Sequence, residues 1–305
     1  MLRAWIELSR PSQWVKNLAL FVAPLFGRAL STGFASGALP WTFLAFCAFA
    51  SAGYAVNDRL DVAADRRHAD KRRRPFARGA VTRAAVTGIV ACWTAIGVVA
   101  AWCAEGGAAG SFAFALSYFA GTLAYSFALK RLFVVDVLAL AGLFVVRIYA
   151  GACAAGVPVS PWLAACSVLG ACVVGFGKRL AEVDRSLAVF EPARSGANGE
   201  GLTRATLLSY RQSALKAVVL TLLVALAGVY AAYTFAAGTT AQFSAGRMPW
   251  TLPFAVLGLA RYGLIALLRS ERIEDPARLL WHDRWLAACA IGWVAVATWA
   301  VAGHA

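Results

Sequence analysis

The chain has 305 residues, of which 61% are hydrophobic and 14% are charged, and its mean hydropathy is +0.67. Soluble domains usually carry about 25% charged residues, so the composition excludes an ordinary soluble domain and favours a membrane protein. The net charge of +14 would suggest nucleic acid as the partner of a soluble protein. Here the basic residues cluster in connections between apolar runs, which indicates membrane orientation and anionic small substrates, with no nucleic-acid partner.

The first predicted element is an amphipathic lead-in over residues 1–16. It places Trp5 and Trp14 among Arg3 and Arg10. Aromatic and basic side chains on one short helix are typical of segments that lie in the plane of the membrane interface. We therefore expect this lead-in to lie on the cytoplasmic face of the membrane.

The rest of the chain is predicted to be an all-α membrane protein, a bundle of nine transmembrane helices in a single domain over residues 1–305. A spanning helix needs about 20 mostly apolar residues. The candidate spans are 17–34, 39–56, 82–103, 110–129, 133–151, 161–177, 212–236, 250–269 and 284–302. The span over 17–34 is the weakest of them, because Pro24 and Gly27 interrupt it.

The distribution of Lys and Arg predicts the orientation in the membrane. Most of these residues lie in alternate connections, which are the lead-in, 57–81, Lys130–Arg131, 178–211 and 269–284. The intervening connections, around 104–109, 152–160 and 237–249, hold one, Arg247. By the positive-inside rule, we expect the amino terminus to be cytoplasmic and the carboxyl terminus to be external. We expect the location to be a bacterial-type inner membrane, with the active site on its cytoplasmic side. The polar, Gly-rich stretch 189–201 is then a cytoplasmic loop.

The densest charge of both signs lies in one connection, "GYAVNDRLDVAADRRHADKRRRPFARG" (53–79). Asp58, Asp61 and Asp65 are spaced three and four apart, so they share one face if a helix extends past the second span. Three carboxylates on one face repel each other, and a hard divalent cation that prefers oxygen ligands would compensate them. The spacing therefore predicts a Mg²⁺ site held by Asp58, Asp61 and Asp65, with Asn57 orienting an aspartate or binding the metal.

Basic residues follow the aspartates in the same connection. Guanidinium and ammonium groups bind phosphate oxygens, and the candidates are Arg66, Lys71, Arg72 and Arg74. Carboxylates for a metal beside cations for phosphate indicate a diphosphate-binding site. The alternative is a solvated cytoplasmic loop that is basic only because of its side of the membrane.

The motif Asn57-Asp58-x-x-Asp61-x-x-x-Asp65, after the second predicted span, resembles the first aspartate motif of the UbiA superfamily of intramembrane prenyltransferases. Within that superfamily the chain is most similar to the decaprenyl-phosphate phosphoribosyltransferases. The similar segments are "RPSQWVKN" (10–17), "NDRLDVAADRRHADKRRRPFARG" (57–79), "YSFALK" (125–130), "VVRIYAG" (145–151) and "GKRLAE" (177–182). The resemblance implies substrate-binding roles for Lys16, Asn17, Tyr125 and Lys130; Lys130 could equally be a membrane-interface anchor.

The chain departs from the common UbiA pattern where a second DxxxD motif is expected after the sixth span. That place holds "GKRLAEVDR" (177–185), in which no Asp stands four residues beyond Glu182 or Asp184. Lys178 and Arg179, with Glu182 beside them, therefore replace much of the second carboxylate cluster with positive charge. This favours a site that binds more phosphate groups, although Lys178 and Glu182 could also form a pair on a helix surface.

Two arginines lie inside predicted spans. Arg147 lies well within 133–151, and an arginine near the bilayer centre costs about 2.5–3.5 kcal/mol on insertion scales and is usually functional. We expect Arg147 to face the bundle interior and contact an anionic substrate group or an aspartate, with a structural partner as the alternative. Arg261 invites the same argument less strongly.

Together these features predict a Mg²⁺-dependent transferase that moves 5-phosphoribose from phosphoribosyl diphosphate to a polyprenyl phosphate in the bilayer, releasing diphosphate. One alternative is a UbiA-type enzyme that moves a polyprenyl chain onto an aromatic acceptor. The other is a non-enzymatic lipid carrier or scaffold, which would need basic patches but no carboxylates on one helical face. A homo-oligomer is compatible with the sequence.

Overall fold

In a computed structural model of the protein, the structure describes residues 2–67, 71–132, 134–193, 212–237, 239, 246–268, 279 and 282–302. Every regular element within these ranges is a helix, and they contain no β-strand. The all-α fold class is thereby confirmed. The chain divides into two compact units, Met1–Val159 and Ser160–Ala305.

Seven helices of the described ranges are long and apolar enough to cross a membrane. They are Ala38–Leu60, Arg83–Glu105, Val135–Ala155, Pro161–Arg185, Gln212–Phe235, Met248–Leu268 and Arg284–Val301. This pattern makes the chain an integral membrane protein. The predicted count of nine spans is not confirmed, because the spans expected at 17–34 and 110–129 are not among these seven helices.

The two differences have separate physical reasons. The region 17–34 is broken into the end of a 3₁₀ helix (Pro11–Phe21), a short helix α2 (Val22–Phe26) and a short helix α3 (Leu30–Ala35). Arg28, between the last two, has a left-handed backbone with φ 54°, which a continuous helix does not allow. The region 110–129 does form a helix, α7 (Ser111–Phe127), but its 17 residues are at the lower limit for crossing a bilayer.

The other α-helices in the described ranges of the first unit are α1, α4, α5, α6 and α8. Their bounds are α1 Leu2–Ser9, α4 Ala38–Leu60, α5 Val62–Arg67, α6 Arg83–Glu105 and α8 Val135–Ala155. Helix α4 is central to this unit and packs against α6, α7 and α8. Phe46 stacks on Tyr118 and Phe49 stacks on Phe119, with ring centroids 4.7 and 4.6 Å apart. The aromatic packing of α4 against α7 fixes the helix that carries Asn57 and Asp58.

The amino-terminal helix α1 is amphipathic. Leu8 is buried in a cluster that includes Phe76 and Ile89, whereas Trp5 and Ile6 are exposed. One face of α1 therefore packs against the protein, and the other presents apolar surface outward. A position in the membrane interface remains a prediction for this segment.

The described ranges of the second unit hold four long helices and one 3₁₀ turn. The bounds are α9 Pro161–Ala193, α10 Gln212–Phe235, the 3₁₀ turn Met248–Thr251, α11 Leu252–Leu268 and α12 Arg284–Ala302. Helix α10 packs against α9 and α11, and α11 packs against α12. Of the predicted loop 189–201, residues 189–193 instead continue α9, and the rest lies outside the described residues.

Candidate active site

The aspartate motif lies where α4 ends. The sequence predicted one helix through all three aspartates, but α4 ends at Leu60, and Asp61 separates it from α5 with φ −94° and ψ 5°. Asp side chains compete with helical backbone hydrogen bonds, which makes Asp61 a suitable residue for the break. The three carboxylates therefore do not lie on the face of one continuous helix.

The break allows Asp58 and Asp65 to meet on one cation. Seven residues of straight α-helix rise about 10.5 Å. Here the Nη1 of Arg74 donates to Asp58 Oδ1 at 3.1 Å and to Asp65 Oδ2 at 2.7 Å. The predicted phosphate ligand Arg74 thus bridges two of the predicted metal ligands.

Arg10 is a site residue that the sequence reasoning missed. Its Nη2 donates to Asp58 Oδ1 at 2.5 Å, and its guanidinium carbon lies 5.0 Å from the centre of the Tyr54 ring. The signal in the sequence was the segment "RPSQWVKN", which begins with Arg10. Of that segment, the sequence predicts only Lys16 and Asn17 as binding residues.

Lys130 lies against the remaining carboxylate. It belongs to a short 3₁₀ helix (Leu129–Arg131), is buried, and donates to Asp61 Oδ1 at 2.5 Å and to Asn57 Oδ1 at 3.1 Å. Each aspartate of the motif is therefore paired with at least one basic side chain. The arrangement alternates negative and positive groups, and this can bind a metal ion and phosphate together.

Burial makes these cations necessary. Asp58 and Asp65 are only 2% and 4% exposed, and a buried carboxylate is costly to ionise without a partner. Burial raises the pKa of the Asp65 carboxyl, and the charge and hydrogen bond of Arg74 oppose that rise. The positive charge of Lys71 also lowers the pKa of Asp65, so the Lys71 ammonium lies near that carboxylate.

The donor set at Asp58 and Asp65 fits a hard divalent cation. Their oxygens converge on a single cationic nitrogen, and carboxylate oxygens are the ligands that Mg²⁺ prefers. In the part of the chain that the structure describes, no three His, Cys, Asp or Glu side chains are grouped closely enough to hold a metal. The assignment of all three aspartates as ligands therefore stays a prediction.

The other predicted residues of the first unit have varied surroundings. Arg66 donates to the carbonyl of Ala77 at 3.1 Å, which ties α5 to the end of the connection. Arg72 and Lys16 are exposed, and Tyr125 is half-buried. Their predicted substrate contacts stay predictions.

Arg147 is buried in a polar cluster between helices. Its Nε donates to Asn17 Oδ1 at 2.8 Å, its Nη2 to the Tyr118 hydroxyl at 2.8 Å, and its Nη1 to the Leu143 carbonyl at 2.9 Å. The Cys47 thiol in turn accepts from Asn17 at 3.2 Å. All three partners of Arg147 are neutral, and no carboxylate of the described ranges pairs with it. Its charge is therefore solvated by dipoles of the protein.

The residues that replace the second aspartate motif lie on α9 in the second unit. Arg179 is buried and forms an ion pair with Glu182, whereas Lys178 is exposed. Asp184 accepts a hydrogen bond of 2.7 Å from Gln212 of α10. Glu182 thus has a buried arginine as a partner on its own helix.

Comparison with known proteins identifies the family. The model of the UbiA prenyltransferase family matches residues 20–286. The chain belongs to this family. The resemblance drawn from the aspartate motif is confirmed, and the protein is a membrane transferase by family.

Two relatives named decaprenyl-phosphate phosphoribosyltransferase support the finer resemblance. The protein from Mycolicibacterium smegmatis is 29% identical over 95% of this chain and 89% of its own length. The protein from Corynebacterium glutamicum is 30% identical over 95% of this chain and 84% of its own length.

The fold is shared with a solved UbiA homolog from Archaeoglobus fulgidus bound to GPP and Mg²⁺. The TM-score is 0.67 at 16% identity, and the match covers 98% of this chain and 99% of that one. At this identity the match establishes the fold alone.

Proposed function

We propose that the protein transfers 5-phosphoribose from phosphoribosyl diphosphate to a polyprenyl phosphate and releases diphosphate. The observation that carries the proposal is the pairing of Asp58, Asp61 and Asp65 with Arg10, Arg74 and Lys130. The similarity to two decaprenyl-phosphate phosphoribosyltransferases over 95% of the chain supports it.

The number of cations favours substrates that carry several phosphates. Phosphoribosyl diphosphate carries three phosphates and the lipid acceptor carries one, whereas a prenyl diphosphate carries two and an aromatic acceptor can carry none. Lys178 and Arg179 add positive charge in place of the second carboxylate motif. Each added cation strengthens phosphate binding.

The basic side chains have two roles in this proposal. Without substrate, Arg10, Arg74 and Lys130 neutralise the aspartates. With phosphoribosyl diphosphate bound, they donate to its diphosphate oxygens, and Asp58, Asp61 and Asp65 would hold Mg²⁺. When bound there, the ion would neutralise charge on the diphosphate.

The transfer breaks one carbon–oxygen bond and makes another. The bond from ribose C1 to the diphosphate oxygen breaks, and its electron pair leaves with diphosphate. A phosphate oxygen of the lipid acceptor then bonds to C1 from the opposite face. The acceptor oxygen is already anionic, so the chain needs no strong general base, and Arg10, Arg74 and Lys130 stabilise the charge that develops on the leaving group.

Arg147 is proposed to contact an anionic group of a substrate. A buried arginine whose three protein partners are neutral retains a positive charge that an anion can neutralise. Lys16, Asn17, Tyr125, Arg66, Lys71 and Arg72 complete the proposed set of substrate contacts.

Prenyl transfer to an aromatic acceptor is the second candidate. The match of residues 20–286 to the UbiA prenyltransferase family favours it. The departure from DxxxD at 177–185 argues against it.

A labelled-donor assay separates the two. Purified protein is incubated with labelled phosphoribosyl diphosphate, polyprenyl phosphates of several lengths and Mg²⁺, and each component is omitted in turn. We expect diphosphate release only when all are present. Transfer of a prenyl group to a phenolic acid, with phosphoribosyl diphosphate ignored, would overturn the proposal. An absence of both reactions would favour a lipid carrier or scaffold.

The proposed orientation has the amino terminus and the active site in the cytoplasm and the carboxyl terminus outside. A reporter fused after Ala305 is expected to be external, and one inserted in 189–201 cytoplasmic. Both reporters on the same side would exclude this orientation.

A further inference from the structure

Arg10 reaches Asp58 from an unusual backbone. Its φ and ψ are 47° and 60°, in the left-handed region, which costs free energy for a residue other than glycine. Non-glycine residues in this region persist only where the surroundings hold them. The contacts that hold Arg10 in this conformation therefore also hold its guanidinium beside Asp58.

Three side chains of α4 contact the Ser9–Arg10 unit. The Ser51 hydroxyl donates to the carbonyl of Ser9 at 2.8 Å, the Tyr54 ring lies 5.0 Å from the Arg10 guanidinium carbon, and Asp58 accepts from Arg10 at 2.5 Å. The spacings of three and four residues put Ser51, Tyr54 and Asp58 on one face of α4. One face of α4 therefore holds the Ser9 carbonyl and the guanidinium group of Arg10 in place.

Two tryptophans complete the hydrogen bonding of the serines. The Ser51 hydroxyl accepts from Trp14 Nε1 at 3.0 Å, and the Ser9 hydroxyl accepts from Trp93 Nε1 at 2.7 Å and donates to the Trp5 carbonyl at 2.9 Å. Both serines are buried. A fully satisfied buried network of this kind rigidifies the segment that it holds.

We propose that Ser51 is a positioning residue for the transfer reaction. Through the Ser9 carbonyl it holds Arg10 in the left-handed conformation that directs the guanidinium to Asp58. Arg10 thereby stands ready beside the carboxylate when the diphosphate of the donor binds. The inference rests on the proposed function for the identity of that donor, and on geometry alone for the link from Ser51 to Arg10.

A double-mutant cycle tests the link. Ser51→Ala, Arg10→Ala and the double variant are compared with the wild type in the phosphoribosyl transfer assay. We expect Ser51→Ala to lower kcat/KM roughly tenfold, as for the loss of one buried hydrogen bond to a catalytic segment. In the Arg10→Ala background the same substitution should have little further effect, because Ser51 acts through Arg10.

The kinetic parameters separate positioning from a folding defect. Both single substitutions should raise KM for phosphoribosyl diphosphate and leave KM for polyprenyl phosphate unchanged, whereas a smaller folded fraction would lower kcat alone. Ser167→Ala is the matched control, because it removes another buried hydroxyl, which donates to the Leu163 carbonyl of its own helix. If Ser51→Ala does not extract as folded protein, Trp14→Phe replaces it in the cycle, because Trp14 Nε1 donates to the Ser51 hydroxyl.

The experiment distinguishes an error in the positioning role of Ser51 from an error in the proposed function. If the wild type is active and Ser51→Ala keeps full kcat/KM, or if its loss multiplies fully with that of Arg10→Ala, the positioning role is wrong and the function stands. If the wild type transfers a prenyl group instead, the proposed function is wrong. The same double-mutant cycle is then measured in the prenyl transfer assay, with the prenyl diphosphate as the donor.

Discussion

Lys130 donates a hydrogen bond of 2.5 Å to Asp61 across 69 positions of the chain. The lysine follows α7 and the aspartate follows α4, so the pair joins the ends of two neighbouring helices. Lys130 is buried, and its second acceptor is Asn57. Such a lysine contacts the aspartate motif, and the proposal that it is only a membrane-interface anchor does not account for these contacts.

Substitution of Lys130 should therefore abolish most of the activity. Lys130→Met is expected to lower kcat about 100-fold or more, because it removes a charge that would stabilise the leaving diphosphate. Arg131→Met is the matched control, since Arg131 is the next residue and is exposed. Equal losses in the two variants, measured in the phosphoribosyl transfer assay, would point to a general effect of charge at the membrane surface.

The sequence predicted the participants of this site better than their arrangement. The spacing of Asp58, Asp61 and Asp65 and the nearby arginines sufficed to identify the motif, because residues on one connection must remain close in space. The pairing of Lys130 with Asp61 and of Arg10 with Asp58 depends on how distant helices pack, which local patterns do not contain. The break at Asp61 likewise escaped prediction, because helical periodicity continues across it.

The fold was predictable to a similar degree. Long apolar runs identified the membrane class and the long helices, since only helices of about 20 apolar residues satisfy the backbone in a bilayer. The region 17–34 has the composition of a span. However, Pro24 lies within the short α2, and the left-handed backbone of Arg28 prevents the helix from continuing. Composition alone does not tell a broken segment from a continuous helix.

The carboxylates provide the second prediction. Asp61→Ala and Asp65→Ala are each expected to abolish Mg²⁺-dependent turnover while the protein still extracts in a folded form. Chelation of divalent ions should abolish wild-type turnover as well. Glu7→Ala is the control, because Glu7 forms an exposed ion pair with Arg78, and such pairs contribute little. Near-normal Mg²⁺-dependent activity in both aspartate variants would move the metal site elsewhere.

Arg147 provides the third prediction. Arg147→Lys keeps the charge but loses the planar group that reaches Asn17, Tyr118 and the Leu143 carbonyl together. We expect activity to fall roughly 10- to 100-fold. Tyr118→Phe removes one acceptor and keeps the arginine, so it should cost far less. Full activity and a raised Tm in Arg147→Leu would instead mean that the arginine binds no substrate and burdens the fold.

Asp283 provides a prediction on pH. It accepts from Arg261 and from the amides of Trp285 and Leu286 at the start of α12, and the hydrogen bond from Arg261 is the main cause of its lowered pKa. A lowered carboxyl pKa stabilises the fold above the ordinary value of about 4, and this stabilisation is lost as pH falls through the folded pKa. Asp283 is therefore a structural partner of Arg261.

The measurement is Tm against pH for Asp283→Asn and the wild type. The amide can still accept hydrogen bonds at the helix start, so the comparison isolates the charge. We expect a lower Tm for the variant at pH 7 and a difference that shrinks below about pH 4. A constant difference across that range would show that the charge of Asp283 contributes nothing to stability.

The residues that replace the second aspartate motif provide the last prediction. Lys178 and Arg179 were both proposed to bind phosphate, but their surroundings differ. Arg179 is buried and paired with Glu182, so Arg179→Ala leaves a carboxylate without that partner and should lower stability as well as activity. Lys178 is exposed, so Lys178→Ala should leave Tm within about 2 °C of the wild type.

Lys178→Ala is therefore the sharper test of phosphate binding. If Lys178 contacts donor or acceptor phosphate, the variant should raise KM for one of the two substrates several-fold, because a charge-assisted hydrogen bond is lost. Lys178→Arg keeps the charge and should retain most of the activity, whereas Lys178→Gln should not. Unchanged KM values for both substrates in Lys178→Ala would show that Lys178 contacts the phosphate of neither substrate.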